Sequence, residues 1–274
     1  MPSLASLLSG VLRTQSIRRS SPILPIGIIS YLVVAGGGST GLDGGTTLQG
    51  GGGAGGFLTG TVNVAGGLTF TMSVGAGGGV NASGSNSYIR SSDTVTLNVE
   101  SMGGGRGGIY HPAVGYRGPE NGGSGGGNAG PLDGTGFVPG GLGTPGQGNN
   151  GGGTPLTPGG FRSAAGGGGA GSAGQNGVSG PSGFNGVGGN GLASPISGTP
   201  VTYSVGGSAN PGGSGAAGSG NGADAGVKLG GSGVIFVRAS NGSISTYTGS
   251  PIITSIGDGN TIFKFTGTGT LEFV

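Results

Sequence analysis

Gly171-Ser-Ala-Gly174-Gln-Asn-Gly177-Val-Ser-Gly180-Pro-Ser-Gly183-Phe-Asn-Gly186-Val-Gly-Gly189 sets seven glycines in succession at intervals of three. Three residues per turn, with a rise of about 3.1 Å per residue, describe the polyproline II helix, which has no hydrogen bonds of its own. When such segments pack side by side, their N–H and C=O groups must pair between segments. A glycine at every third position leaves one edge bare for a neighbouring backbone. A segment enclosed on most sides needs glycine at most positions, as in Gly166-Gly-Gly-Gly169. Shorter runs of the same period occur at Gly38, Gly41 and Gly44, at Gly140, Gly143 and Gly146, and at Gly212, Gly215 and Gly218. Collagen shares the period, but it needs an unbroken Gly-X-Y repeat and at least about 15% Pro. This chain holds 15 Pro among 274 residues, and its longest run is seven triplets. The expected element is a bundle of short left-handed extended helices of the polyglycine II type, joined by turns containing Pro and Asn.

Composition narrows the rest. The chain has 79 glycines, 10 basic and 8 acidic residues, no Cys, no Trp and a single His. An average chain carries roughly 7% glycine and 25% charged residues. Without Cys there is no disulfide, thiolate metal site or Cys nucleophile. Glycine costs about 1 kcal/mol relative to Ala at each interior helix position, which argues against a helical bundle. Enzyme chemistry draws on clustered His, Asp, Glu or Lys, and these are sparse and scattered, so no enzyme, cofactor or metal site is expected. Arg13, Arg18 and Arg19 account for the basic excess; without them, 7 basic residues face 8 acidic ones. A nucleic-acid-binding face would need Lys and Arg clustered on the body of the protein, so no nucleic-acid partner is expected. The longest apolar run, residues 23–35, is interrupted by Pro25, Gly27 and Ser30. It falls short of the roughly 20 residues of a membrane span.

Four zones separate along the chain. In residues 1–30, Leu4, Leu7, Leu8, Val11 and Leu12 recur at helical spacing with Arg13 on another face, which predicts a short amphipathic helix. Its expected role is a docking arm onto a partner chain; packing on its own β domain, or an organellar transit peptide, are the alternatives. Residues 31–102 read as a β-rich scaffold. Tyr31-Leu-Val-Val-Ala35 is a continuous apolar run, while Thr61-Val-Asn-Val64, Leu68-Thr-Phe-Thr-Met-Ser-Val74 and Thr94-Val-Thr-Leu-Asn-Val99 alternate with period two. Gly66-Gly67 between the first two of these is a hairpin signal. Residues 103–233 form the glycine-rich zone. Residues 234–274 return to strand patterning, with Val234-Ile-Phe-Val-Arg238 expected beside residues 31–35, and with Gly257-Asp-Gly-Asn260 as a hairpin turn. The expected fold is mainly β: a β-sandwich-like scaffold, an inserted glycine-rich domain of packed polyglycine II helices, and a short N-terminal helix.

Chemical motifs are weak. Gly122-Gly-Ser-Gly-Gly126 matches the nucleophile elbow by chance composition, and repeated G-x-G-x-x-G matches mean nothing outside a strand–turn–helix context. Surface recognition remains. Tyr110, His111, Tyr116 and Arg117 lie in one turn-like stretch and are the candidate receptor contacts, since exposed aromatic and Arg side chains make binding hot spots. Phe137, Phe161 and Phe184 punctuate the glycine zone, where they are expected to plug gaps between packed segments.

A family resemblance rests on an ordered series. Tyr31-Leu-Val-Val-Ala-Gly-Gly-Gly38 is followed by Gly50-Gly-Gly-Gly-Ala-Gly-Gly56, Met72-Ser-Val-Gly-Ala-Gly-Gly-Gly79, Ile196-Ser-Gly-Thr-Pro-Val-Thr-Tyr203 and Gly230-Gly-Ser-Gly-Val-Ile-Phe-Val-Arg238. The series resembles the glycine-rich domain of bacteriophage tail-fibre and minor tail proteins, and the closing 248–271 looks like the β module that accompanies it. The resemblance implies a non-enzymatic virion protein at a tail fibre or tail tip that contributes to host attachment. Leu4, Leu7, Leu8, Val11, Leu12 and Arg13 would dock it to another virion protein, and the distal loops would face a host glycan or protein. Few large side chains are available for a core, so a homotrimer is expected. A capsid-decorating fibre without a receptor role, or an ice-binding protein of polyglycine II type, are the alternative readings.

Overall fold

The structure, a computed structural model, describes residues 25–40, 48–111, 115–130, 135–156, 162–178, 186–209, 213–226 and 228–274. Ten of its strands build a sandwich: β1 (Pro25–Val34), β2 (Phe57–Ala65), β3 (Thr69–Ser73), β4 (Ser87–Ser91), β5 (Asn98–Ser101), β6 (Val234–Ser240), β7 (Ile244–Tyr247), β8 (Ile252–Ser255), β9 (Asn260–Phe265) and β10 (Gly269–Phe273). One sheet has the order β8-β9-β6-β1-β2 and the other β7-β10-β3-β4-β5, with every neighbouring pair antiparallel. Strands from 25–101 and from 234–273 lie side by side in both sheets, paired through β1–β6 in one and β3–β10 in the other, so the two β-rich stretches form one sandwich.

The central strands are apolar on both faces because both faces are covered. Val33 pairs with Ile235 and Leu32 with Phe236. Ile29, Val33, Ile235 and Val237 point between the sheets, where they meet Phe70, Met72, Ile89, Phe265 and Leu271. Leu32, Val34, Val234 and Phe236 point outward, under Ile196 and Tyr203. These last two come from the hairpin of Leu192–Ser194 and Val201–Tyr203.

Two local signals resolve differently from their sequence expectation. Gly66-Gly67 does not close a paired hairpin: β2 pairs with β1 and β3 with β10, so the turn crosses from one sheet to the other. Gly67 takes φ +78°, which glycine adopts without strain. The alternation over 94–99 becomes strand only from Asn98. Before it, the Asp93 carboxylate accepts the Ser91 and Thr96 hydroxyls and the Val95 and Thr96 N–H groups. This local competition turns the chain, and the bonds, led by that from Ser91, hold the Asp93 carboxyl well below the usual carboxylate range.

Beyond the sandwich the hydrogen bonding changes period from two to three. Gly50, Gly53 and Gly56 donate to the Gly108, Gly105 and Met102 carbonyls (2.9, 2.8 and 2.8 Å). Gly51 and Ala54 donate to Ala165 and Gly168 (3.0 and 2.9 Å), and Gly52 and Gly55 to Ala223 and Gly220 (2.9 and 2.8 Å). Successive N–H groups thus point to three different neighbours and return to the first after three residues, as a threefold extended chain requires. The same segment accepts bonds from Ala35 and Gly38, from Ser124 and Gly127, and from Gly207. Residues 50–56 therefore run inside a ring of six segments, and every one of them is buried. The described parts of the 171–189 run follow the same rule. Gly174 and Gly177 donate to Asn150 and Gly153, and Gly186 and Gly189 to Ala164 and Gly167.

The bundle is continuous with the sandwich. β1 continues into 35–40, β5 into 102–108, and 50–56, 82–86 and 228–233 run into β2, β4 and β6. Side chains hold packed sheets about 10 Å apart. Where glycine removes them the two layers close, and Gly36 and Ser39 of one layer donate to Ser85 and Ala82 of the other (3.0 Å each).

The expected short N-terminal helix is corrected. The described chain is built from strands and extended segments with no helix, as glycine's poor helix propensity dictates. Leu4, Leu7, Leu8, Val11, Leu12 and Arg13, on which that helix was placed, lie outside the described residues.

Candidate functional site

Residue 56 adjoins the sandwich, so Gly50 marks the opposite end of the bundle. Gly108, Gly127 and Ala165 lie level with Gly50 and Gly51 through their hydrogen bonds. Just beyond them side chains return, and the chain forms short strands at Leu48–Gln49, Ile109–His111, Gly115–Arg117, Ala129–Gly130 and Ser163–Ala164. Ala129, Ala164 and Ala209 cluster beneath Leu48.

All four candidate contact residues fall on one hairpin at this end. Tyr110 lies opposite Tyr116, His111 opposite Gly115, and the buried Ile109 opposite Arg117. Directly opposed residues share a face, so the two tyrosines stand side by side. Tyr116 donates its hydroxyl to Asn128 Oδ1 (2.6 Å), and Asn128 Nδ2 donates to Thr154 Oγ1 (2.7 Å). Asn128 and Thr154 are fully buried, which fixes the phenol from below. Burial pushes the Tyr116 hydroxyl above its ordinary pKa, against the Asn128 bond and the Arg106 charge. The return strand is tied by Arg106, itself buried. Its Nη2 donates to Gly118 O (2.8 Å), Nη1 to Gly107 O (2.9 Å) and Nε to Glu120 Oε1 (3.2 Å). Arg117 is exposed, and Tyr110 and His111 are half-buried.

Sequence reasoning missed the supports: Arg106, Glu120, Asn128 and Thr154. Only Arg106 carried a local signal, as a lone cation in the run Gly103-Gly-Gly-Arg-Gly-Gly108, since a charge buried among glycines needs a partner. Phe137 is 52% exposed, opposite Pro155, with its ring against Gly153. Phe161 and Phe184 lie outside the described residues. Ser124 of the elbow-like motif is fully buried inside the bundle, with no strand–turn–helix around it. Among the described residues no three His, Asp or Glu side chains gather as a metal site, and no helix is long and apolar enough to cross a membrane.

A glycine-rich domain family matches residues 21–250, which takes in the whole bundle and the sandwich through β7. The chain belongs to that family. No curated protein and no solved structure matches it. The glycine-rich domain as matched stops short of β8, β9 and β10, although these strands complete both of its sheets.

Proposed function

We propose that the chain is a non-enzymatic structural component of a bacteriophage particle, at the tail fibre or tail tip, and that its far end takes part in host attachment. The observation that carries this is the anchored hairpin 109–117. A bundle hydrogen-bonded on all sides holds Tyr110, His111, Tyr116 and Arg117 at the end away from the sandwich. Side chains fixed before contact lose less entropy on binding, and aromatic and Arg side chains dominate binding energetics. The ordered glycine motifs, similar to those of phage tail-fibre proteins, support the location. In this reading Leu4, Leu7, Leu8, Val11, Leu12 and Arg13 contact another virion protein, and the chain assembles as a trimer.

An antibody against the chain should label purified particles at the tail, and soluble protein should compete with particles for adsorption to host cells. A Tyr116→Ala, Arg117→Ala double variant should lose at least about tenfold in competition, as loss of hot-spot residues does. Label on the capsid alone, with no competition, would overturn the attachment role in favour of a decorating fibre.

A further inference from the structure

The hairpin of Leu192–Ser194 and Val201–Tyr203 lies across the outer face of the β8-β9-β6-β1-β2 sheet but does not cover all of it. Beside it opens a cleft of about 400 Å³, within the roughly 300–1,000 Å³ of small-molecule sites. One wall is a row across three strands, in which Phe236 pairs with Lys264 and Lys264 with Ile252. Val201 and Thr202 of the hairpin and Ser219 complete the lining.

The chemistry of these walls is specific. The Lys264 ammonium stands 5.8 Å from the Phe236 ring centroid. Arg90, Arg106 and Arg238 each meet a carboxylate, but Lys264 forms no ion pair among the described residues, and no acidic residue lines the cleft. A concave site lined by one sign of charge concentrates ions of the other sign. Ser219 lines it with its hydroxyl already donating to Ala216 O and accepting from Asn221 N–H, and the hydroxyl-bearing Thr202 and Thr254 line it as well. Such groups both donate and accept, as a sugar's hydroxyls require. Val201 and Ile252 are 40% and 58% exposed, and offer apolar surface for the C–H face of a ring. A single ammonium suits a single carboxylate. Forked recognition of a phosphate is arginine chemistry, and no arginine lines the cleft.

We propose that this cleft binds an acidic sugar, a pyranose bearing one carboxylate. The site lies on the sandwich, at the other end of the bundle from hairpin 109–117, and it holds whether or not the chain belongs to a particle.

The test is titration of the full chain with glucuronate, followed by NMR or calorimetry. Glucuronate should bind with a Kd near ~1 mM, and glucose and acetate about tenfold more weakly, a ratio equivalent to one lost charge contact. Lys264→Met keeps the stem over Phe236 and should bring glucuronate down to the level of glucose without shifting the thermal midpoint. Thr202→Trp, at an exposed strand position, should close the cleft and abolish binding of both sugars. Arg117→Ala should leave glucuronate binding unchanged. No binding of glucuronate, equal binding of acetate, tighter binding of inorganic phosphate, or an affinity lost with Arg117→Ala but kept with Lys264→Met would each overturn the proposal.

Discussion

At the scale of single residues, glycine in this chain does two separable jobs. Gly53 needs no special backbone angle, yet a Cβ there would overlap the Ser124 carbonyl oxygen, and backbone on a hydrogen-bonded segment cannot step aside. Overpacking of this kind costs about 1–3 kcal/mol and sometimes more, so Gly53→Ala should sit at about 3 kcal/mol, read from the denaturant midpoint. Gly79 has open space where a Cβ would stand and no left-handed φ. Gly79→Ala should be neutral or stabilising by about 0.5 kcal/mol, through the less flexible unfolded chain. Equal effects at both sites would mean that close backbone approach is not what glycine supplies. The two glycines look alike in the sequence, because the atoms that exclude a side chain at Gly53 come from a segment about seventy residues away.

At the scale of elements, β1 and its continuation 35–40 keep the same two flanking partners. β2 and β6 flank the strand, and 50–56 and 228–233 flank the extension. What changes is that further partners join: residues 82–85 from the other layer accept from Gly36 and Ser39, while Gly104, Gly107 and Ala223 donate to the Gly36, Ser39 and Gly38 carbonyls. The strand buries large apolar side chains to stay folded; the extension, Ala35-Gly-Gly-Gly-Ser-Thr40, carries only three small ones and pairs all of its N–H groups instead. Amides with buried partners open only with larger cooperative units. The amides of residues 51–55 should therefore exchange as slowly as those of Leu32 and Val33, by hydrogen-exchange mass spectrometry. Exchange as fast as at the exposed edge strand β8 would show the bundle opening without the sandwich. The strand runs were legible because a strand carries its burial pattern in its own side chains. The Gly66-Gly67 crossing was not, since a turn sequence does not say whether the next strand stays in the same sheet.

At the scale of the whole molecule, the C-terminal strands decide whether the glycine bundle has a base. Phe263, Phe265, Leu271 and Phe273 from β9 and β10 are buried in the inter-sheet core. Burying a large apolar side chain contributes roughly 1.5–3 kcal/mol, so these four contribute about 6–12 kcal/mol. That is comparable to the entire stability of a typical domain, about 5–15 kcal/mol. Deleting residues 251–274, which follow the family match, should abolish cooperative thermal unfolding of bundle and sandwich together, followed by circular dichroism. A surviving transition would show that the bundle folds alone. The candidate hairpin follows the same logic. Tyr110, His111, Tyr116 and Arg117 were visible as residue types on a short stretch. The buried Asn128 and Thr154 beneath Tyr116 became part of the site only when the bundle brought three segments level.

The sequence by itself determined the periods. Alternation and apolar runs marked the strands, and glycine at intervals of three marked chain that must find its hydrogen bonds elsewhere, since both follow from the local geometry of one segment. Which segments meet was decided only in the tertiary structure. Glycine carries no side chain to encode a partner, so the segments that continue sandwich strands take their order from those strands, whose Cβ-bearing cores fix which of these backbones lie side by side, and the remaining segments are placed by backbone hydrogen bonds to them.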